Sequence, residues 1–119
     1  MSAKRVLIVE DDFMLNLMNK KYVEMIGHKV VAAVNNGIDA INAAKEHNPD
    51  VILMDIRLEG EMDGIDTMLE IEKFSTAKVI YLTGNSGEID KNRANKTNIL
   101  GFCVKPIHLE KLQGLFNAV

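Results

Sequence analysis

The sequence predicts an α/β fold in which five parallel strands alternate with five helices. Short runs of β-branched and other apolar residues alternate along the chain with segments whose apolar residues recur at helical spacing. The strand segments are apolar on both faces, which indicates a parallel sheet covered by helices on each side. The 119 residues suffice for one core, so we expect residues 1–119 to form a single domain.

Two strand–helix units are predicted at the start of the chain. The run RVLIVE at 5–10 is a strand, and the helix over 13–26 that follows it ends at Gly27. The run KVVAAV at 29–34 is the second strand. An Asn-Asn-Gly turn leads from it to a helix over 38–47, which ends before an Asn-Pro-Asp segment.

Three further units complete the pattern. Their strands read VILMD, AKVIYLT and ILGFCVK, and their helices carry apolar residues on one face, except for the weak fourth helix. That helix has few apolar anchors and several Gly, Asn and Thr residues, so we expect it to be held marginally. The strands are 51–55, 77–83 and 99–105, and the helices are 65–74, 86–98 and 108–119.

Right-handed crossovers and a chain this short favour a doubly wound, flavodoxin-like (βα)5 sandwich with strand order 2-1-3-4-5. This order is taken by analogy from known folds of this size. In open α/β sheets, ligands bind outside the carboxyl ends of the strands. We therefore expect the functional residues at those ends.

Acidic, hydroxyl and ammonium groups follow the strands at that edge. Because strands one and three are neighbours in the proposed order, their acids should converge and form a hard oxygen site that suits Mg²⁺ or Mn²⁺. An ammonium and a hydroxyl at the same edge would help to neutralise a phosphoryl dianion, as phosphoryl transfer requires. The residues are Glu10, Asp11 and Asp12 after strand one, Asp55 on strand three, Thr83 and Gly84 after strand four, and Lys105 and Pro106 after strand five.

Asp55 is the candidate nucleophile of this site and would form an acyl phosphate. Gly84, beside Thr83, would let the backbone approach a phosphoryl oxygen closely. The motifs VLIVEDD, VILMD, VIYLTG and GFCVKP, taken in order, resemble the receiver domain of two-component response regulators over essentially the whole chain. Each motif alone is common, whereas the four together at the right strand ends are specific.

The resemblance implies a phosphoacceptor and its metal ligands. Asp55 would accept the phosphoryl group, and Asp11 and Asp55 would bind Mg²⁺ directly. Glu10 would act through a metal-bound water, and the main-chain carbonyl of Arg57 would complete the protein ligands. Asp12 stays outside this set. The domain would be a signalling module rather than a conventional enzyme, catalysing only its own phosphorylation and slow dephosphorylation.

The resemblance also implies residues that bind the phosphoryl group and respond to it. Lys105 would pair with the group, and a cis bond before Pro106 would aim Lys105 at it. Thr83 would hydrogen-bond the group in the activated state, and Phe102 would then turn into the space that Thr83 leaves. The fourth helix, the fifth strand and the fifth helix would form the switching face.

The segment DIRLEGEMDG departs from the family pattern after Asp55. It lacks the usual proline, and it is longer and more acidic than usual, which puts loop rigidity and partner contacts in doubt rather than the chemistry. Arg57 and Asn85 should flank the route of water to an acyl phosphate. Arg57 would either screen that route or point to solvent. Lys91 and Arg93 are expected to lie on a solvated helix face.

Two other function classes remain as alternatives. A flavin-binding electron carrier of this fold would need a phosphate-binding loop after strand one, where three acids would repel the phosphate. An aspartyl phosphohydrolase usually has a second Asp two residues after its nucleophile, where this chain has Arg57. A degenerate receiver is disfavoured because no member of the site set is missing.

Composition limits the partners and the compartment. A net charge of −3 argues against direct nucleic-acid binding, which needs a basic face. No apolar run reaches the roughly 18 residues of a membrane-spanning helix, and no signal-peptide pattern begins the chain. We expect a cytoplasmic protein in which Cys103 is a buried, inert thiol.

The resemblance implies a histidine kinase or a histidine phosphotransfer protein as the phosphodonor. The downstream side is a protein target or an attached output domain, and a homodimer through the switching face is a further option. The sequence leaves open which of these applies.

Overall fold

The structure is a computed structural model that describes residues 3–84 and 88–119, without the side chains of residues 88–90. Five strands and five helices alternate, as predicted. The strands are β1 (Arg5–Val9), β2 (Lys29–Val34), β3 (Val51–Asp55), β4 (Lys78–Thr83) and β5 (Ile99–Val104). The helices are α1 (Phe13–Met25), α2 (Gly37–His47), α3 (Gly64–Ile71), α4 (Glu88–Ala94) and α5 (Leu109–Asn117).

All strand pairs are parallel, and the sheet order is β2-β1-β3-β4-β5, which confirms the predicted flavodoxin-like fold. Every residue of β3 is buried, because β3 lies at the centre of the sheet with helices on both faces. The carboxyl ends of β1 and β3 are adjacent, with Val9 paired in register with Met54. This pairing brings the acids that follow the two strands to one place.

The core consists of two layers, one on each face of the sheet. In β1, Leu7 and Val9 pack with buried residues of α2, α3 and α4, whereas Val6 and Ile8 pack with buried residues of α1 and α5. This alternation follows from the two-residue period of a strand. The domain is therefore doubly wound, with α1 and α5 on one face and α2, α3 and α4 on the other.

Side chains fix the starts of three helices. Asp12 caps α1 by accepting a hydrogen bond from the Leu15 N–H, and Asn36 caps α2 in the same way. Asp63 begins α3 with a reciprocal capping box to Asp66. At the other end of α1, Gly27 has φ +94°, which confirms it as the left-handed residue that ends the helix.

Three predicted helices end two or more residues later than the observed ones. Residues 72–74 were expected in α3, but the Phe74 N–H bonds the Ile71 carbonyl, three residues earlier. The same tightening follows Ala94 in α4, where the Thr97 N–H bonds the Ala94 carbonyl, and it closes α5 at Ala118. Such i+3 bonds at helix ends satisfy carbonyls that have no α-helical partner, so they end the regular helix.

Candidate metal and phosphoryl site

Three carboxylates converge at the carboxyl end of the sheet. One oxygen each from Glu10, Asp11 and Asp55 lies within 4.8 Å of the others. Glu10 and Asp55 are almost fully buried, at 0% and 2% exposure, and Asp11 is half-buried. The predicted convergence of these acids is therefore present in the fold.

Lys105 reaches into this cluster from the end of β5. Its Nζ lies 3.0 Å from Glu10 Oε1 and 3.0 Å from Asp55 Oδ2, so one ammonium bridges two buried acids. The Lys105 N–H donates to the Thr83 carbonyl at 2.8 Å, which fixes the strand end. The Lys105–Pro106 bond is cis, the isomer that the resemblance implies.

Asp12 lies outside the cluster, as expected. Its side chain caps α1, and its N–H donates to Glu10 Oε2 at 3.1 Å. The third acid of the VEDD segment thus has two structural tasks. It starts a helix, and it holds the carboxylate of Glu10 at the oxygen that Lys105 does not contact.

The charges of the cluster are incompletely balanced. Burial, followed by contact with the Asp55 carboxyl, raises the pKa of Glu10 to about 7, although bonds from the Asp12 N–H and Lys105 oppose this rise. Burial alone would lower the pKa of Lys105, but its hydrogen bonds to Glu10 and Asp55 outweigh burial and raise it. Lys105 pairs with two of the three carboxylates, so an added cation would be stabilised here.

The donor set fits a hard divalent cation. Carboxylate oxygens are the ligands that Mg²⁺ and Mn²⁺ prefer, and the three acids have the spacing of a candidate metal site. Burial, together with the neighbouring Asp55 carboxyl, raises the pKa of Glu10, and a bound cation would offset the cost of its charge. The residues that can hold the cation are Glu10, Asp11 and Asp55.

The predicted residues around Asp55 are Arg57, Thr83 and Gly84. The Arg57 N–H donates to Asp55 Oδ1 at 3.1 Å, while the Arg57 residue is exposed. Asp55 pairs with Leu82 in register, which places Thr83 one position further along the same edge, 8% exposed. Gly84 is exposed beside Thr83, and Asn85 lies outside the described residues.

The loop after Asp55 contacts the acidic cluster through its backbone, a contact that sequence analysis missed. The Glu59 N–H donates to Asp11 Oδ2 at 3.2 Å. Leu58 is 7% exposed and anchors the loop, and Gly60 turns it with φ +108°, a conformation that favours glycine. The unusual sequence of the loop was the only signal that pointed to this region.

Phe102 is half-buried at the predicted switching face. It pairs with Tyr81 across β4 and β5, with ring centroids 6.0 Å apart. The Tyr81 hydroxyl is 2.8 Å from Thr97 Oγ1 just beyond α4, so the two rings and the end of α4 are neighbours. The ammonium of Lys91 lies 5.9 Å from the centroid of the Phe102 ring.

Arg93 lies on an exposed helix face, as predicted, but the prediction that its side chain only contacts solvent was wrong. Its guanidinium bonds Asp63 at 2.9 Å and Asp66 at 2.7 Å, and so joins α4 to the start of α3. The prediction failed because residues 27 and 30 positions apart meet only after the sheet has formed. The α4 helix, Glu88–Ala94, is shorter than the predicted range of 86–98, and its described end is tied to the rest of the domain.

Among the described residues, no helix is both long and apolar enough to cross a membrane.

Comparisons with known proteins agree on one family. The family model "Response regulator receiver domain" matches residues 6–117. The chemotaxis protein CheY of Thermotoga maritima is 34% identical over 118 residues, covering 98% of each chain. The signal receiver domain of a modulated diguanylate cyclase from Desulfovibrio desulfuricans G20 has a TM-score of 0.90 at 27% identity, covering 98% of this chain and 93% of that one.

A second solved structure includes an ion of the predicted kind. It is the CheX-CheY-BeF3-Mg²⁺ complex from Borrelia burgdorferi, with a TM-score of 0.87 at 25% identity, covering 96% of this chain and 87% of that one. The family match over nearly the whole length, the strand order and the acidic cluster with its bridging lysine lead to one conclusion. The chain belongs to the response regulator receiver domain family.

Proposed function

We propose that this domain accepts a phosphoryl group on Asp55 from a phosphohistidine of a histidine kinase or a histidine phosphotransfer protein. The observation that carries the proposal is the position of Lys105 Nζ, 3.0 Å from both Glu10 and Asp55 within the cluster of three carboxylates. The family match and the Mg²⁺ in the similar CheX-CheY complex support it.

In this proposal each residue has a defined task. Asp55 Oδ attacks phosphorus, the P–N bond breaks, and the electron pair stays on the imidazole nitrogen, which takes a proton. Lys105 exchanges part of its contact with Asp55 for a phosphoryl oxygen, and Thr83 donates its hydroxyl to another. A bound Mg²⁺, held by Asp11, Asp55 and the Arg57 carbonyl and by Glu10 through a water, would neutralise charge on the phosphoryl oxygens.

Dephosphorylation by water regenerates the free carboxylate of Asp55. Water attacks phosphorus, the bond between phosphorus and Asp55 breaks, inorganic phosphate leaves, and a proton passes to solvent. Arg57 is exposed two residues after Asp55, so no second acid at that position speeds this step. We therefore propose that the domain catalyses its own phosphorylation and a slow dephosphorylation, without turnover of free phosphomonoesters.

The donor protein requires a docking surface beside Asp55. Phe13 and Met14 at the start of α1 are 74% and 62% exposed, directly after the acids of β1. Large apolar side chains that are exposed together commonly mark an interaction surface. We propose that the phosphodonor contacts α1 through these side chains while its histidine reaches Asp55.

The surface that contacts the downstream partner is proposed to be the face formed by α4, β5 and α5. Phe102 is half-buried there and Val104 is 53% exposed, so the face combines a ring that can turn with an apolar contact point. Phosphorylation would shift the population of two conformers, with Thr83 moving toward the phosphoryl group and Phe102 turning inward. The receiving surface belongs to a target protein, an attached output domain or a second copy of this chain.

Intact mass after incubation with acetyl phosphate tests the proposal. The wild type should gain one phosphoryl group with Mg²⁺ and none in EDTA. Asp55→Asn should gain none, whereas Asp39→Asn, an equal charge change outside the cluster, should react like the wild type. Reaction of Asp55→Asn at the wild-type rate, or no gain by any variant, would contradict the assignment.

A further inference from the structure

The guanidinium of Arg93 joins two acids at the start of α3. Its Nη1 donates to Asp63 Oδ2 at 2.9 Å, and its Nη2 donates to Asp63 Oδ1 at 3.3 Å and Asp66 Oδ1 at 2.7 Å. The planar fork of arginine suits this two-point contact with a carboxylate, which an ammonium cannot reproduce. Arg93 thus holds both members of the α3 capping box at once.

Asp63 is the more buried of the two acids that Arg93 contacts, and it depends on this cation more than an isolated surface acid would. Burial tends to raise the pKa of Asp63, but its hydrogen bonds with Arg93 and with the Asp66 N–H outweigh burial and lower that pKa. The two acids lie three residues apart at one helix end, so their charges repel each other when neither is paired. The bridge therefore stabilises the start of α3 as well as the position of α4.

The residue after Asp63 packs directly on the backbone of the phosphoacceptor. The Gly64 N–H donates to the Ile56 carbonyl at 2.7 Å. A Cβ on Gly64 would stand 2.1 Å from the Asp55 carbonyl oxygen, which shows how closely the two backbones approach. A displacement of the start of α3 would therefore also displace Asp55, because the two closely packed backbones leave no space between them.

On the other side of the bridge, the end of α4 is tied to the switching face. Ala94, next to Arg93, is fully buried. Thr97 Oγ1 donates to the Ala94 carbonyl at 2.6 Å and contacts the Tyr81 hydroxyl, whose ring lies beside Phe102. Arg93 therefore links α4, the helix that the proposed function expects to move, to the start of α3, which packs on the backbone of Asp55.

We propose that Arg93 is a positioning residue. It couples the loop after Asp55, residues 56–63, to α4, and it holds α4 in its resting position. The inference rests on the proposed function of Asp55 and extends it. Because the guanidinium is neutralised by two carboxylates in the unphosphorylated domain, any conformer in which α4 moves away must break these bonds. Coupling is reciprocal, so releasing α4 lowers the cost of rearranging the loop.

Amide hydrogen exchange in the metal-free protein tests the link without phosphorylation. The Asn95 N–H, bonded to the Lys91 carbonyl, reports on α4, and the Gly64 N–H reports on the loop. Arg93→Met should speed exchange at both amides by about two- to tenfold, and raised salt should do the same to the wild type. Lys91→Met is the matched control, since it removes the same charge from the same helix, and it should leave Gly64 unchanged.

The rate of phosphoryl gain from acetyl phosphate tests the consequence for function. We expect Arg93→Met to react about two- to fivefold faster than the wild type, because release of α4 favours the activated conformer. Arg93→Lys should lie between the two, since it restores charge without the fork. Asp66→Asn removes one acceptor of the Arg93 bonds but leaves the Asp63 cap, so it should show part of the increase in rate. It replaces Arg93→Met in the test if that variant does not fold.

Several results would overturn the inference. Equal rates of amide exchange at Gly64 in Arg93→Met and Lys91→Met would show that Arg93 does not couple α4 to the loop. Faster exchange in α4 with an unchanged or slower reaction rate would reduce Arg93 to a simple anchor. The proposed function fails separately, if the wild type gains no phosphoryl group, and in that case the exchange at Gly64 still decides whether Arg93 positions the loop.

Discussion

Glu59 acts on the acidic site through its main chain, because its N–H donates to Asp11 while its side chain is exposed. A carboxylate held at one oxygen presents the other in a fixed direction, so this bond prearranges Asp11 for a cation. A proline at this position would have no N–H to donate. The absence of proline at position 59 thus allows the hydrogen bond from the Glu59 N–H to Asp11.

We expect Glu59→Pro to weaken Mg²⁺ binding by about three- to tenfold relative to Glu59→Ala, as loss of one net hydrogen bond implies. Both variants lose the same charge, and only the proline loses the N–H. Isothermal titration calorimetry with Mg²⁺ measures the difference. Equal affinities for the two variants would show that the bond does not prearrange Asp11.

Asn19 provides a second test at the residue scale. It is 3% exposed on α1, and its Nδ2 has no hydrogen-bond partner within the part of the chain that the structure describes. We expect Asn19→Leu to raise the free energy of unfolding by about 1–2 kcal/mol in urea titrations, because an unpaired buried amide is costly.

Asn16 on the same helix is the matched control. Its Nδ2 donates to the carbonyls of Glu10 and Val34, at 3.0 Å each. Asn16→Leu should therefore destabilise the domain by about 1–3 kcal/mol. A loss of stability in Asn19→Leu as large as in Asn16→Leu would mean that the Asn19 amide has a partner in solution.

At the scale of elements, the contact between α3 and β3 positions Asp55, the proposed phosphoacceptor. Gly64 begins α3, and its backbone touches the Asp55 carbonyl. The requirement for glycine comes from lack of space, since any Cβ would overlap main-chain atoms that cannot rotate away. The packing at the start of α3 thus sets the position of the Asp55 carboxylate.

Gly64→Ala should destabilise the domain by about 2–4 kcal/mol and slow the reaction with acetyl phosphate, because overpacking here displaces Asp55. Gly101→Ala is the control, since its Cβ would meet only the end of the Leu115 side chain, at 2.7 Å. That side chain can rotate, so we expect a cost of about 1 kcal/mol or less. Thermal unfolding with rate measurement checks both, and similar losses in the two variants would contradict the argument.

At the scale of the whole molecule, the acidic site opposes folding when no cation is bound. Glu10 has a pKa of about 7 in the folded state against 4.5 for an unperturbed glutamate, so the folded state binds its proton more tightly. The resulting stability is fully present below pH 4.5 and is lost as the pH rises through about 7. Function thus requires a charge arrangement that stability alone would not favour.

In EDTA, the stability of Glu10→Gln relative to the wild type should rise by up to ~3 kcal/mol between pH 4.5 and pH 8, since the amide cannot ionise. Mg²⁺ should raise the stability of the wild type at pH 8 more than that of Glu10→Gln. Urea unfolding across this pH range measures both effects. Parallel stability curves for the two proteins would contradict the raised pKa.

The sequence by itself determined the alternation of strands and helices and the chemistry at the strand ends. Periodicity is a local property, and parallel strands bring their carboxyl ends to one edge whatever the details of packing. Glu10, Asp11, Asp55 and Lys105 could therefore be selected before any coordinates were known. The strand order came from folds of similar size.

Only the tertiary structure decided the contacts that control the site. Three features depend on side-chain and loop positions to within an ångström: the bridge from Arg93 to Asp63, the bond from Glu59 to Asp11, and the Asn19 Nδ2, which has no partner among the described residues. No sequence period encodes such distances, because they result from the packing of the whole domain around the sheet. The sequence therefore determined which groups meet at the site, and the packing decided how they are held.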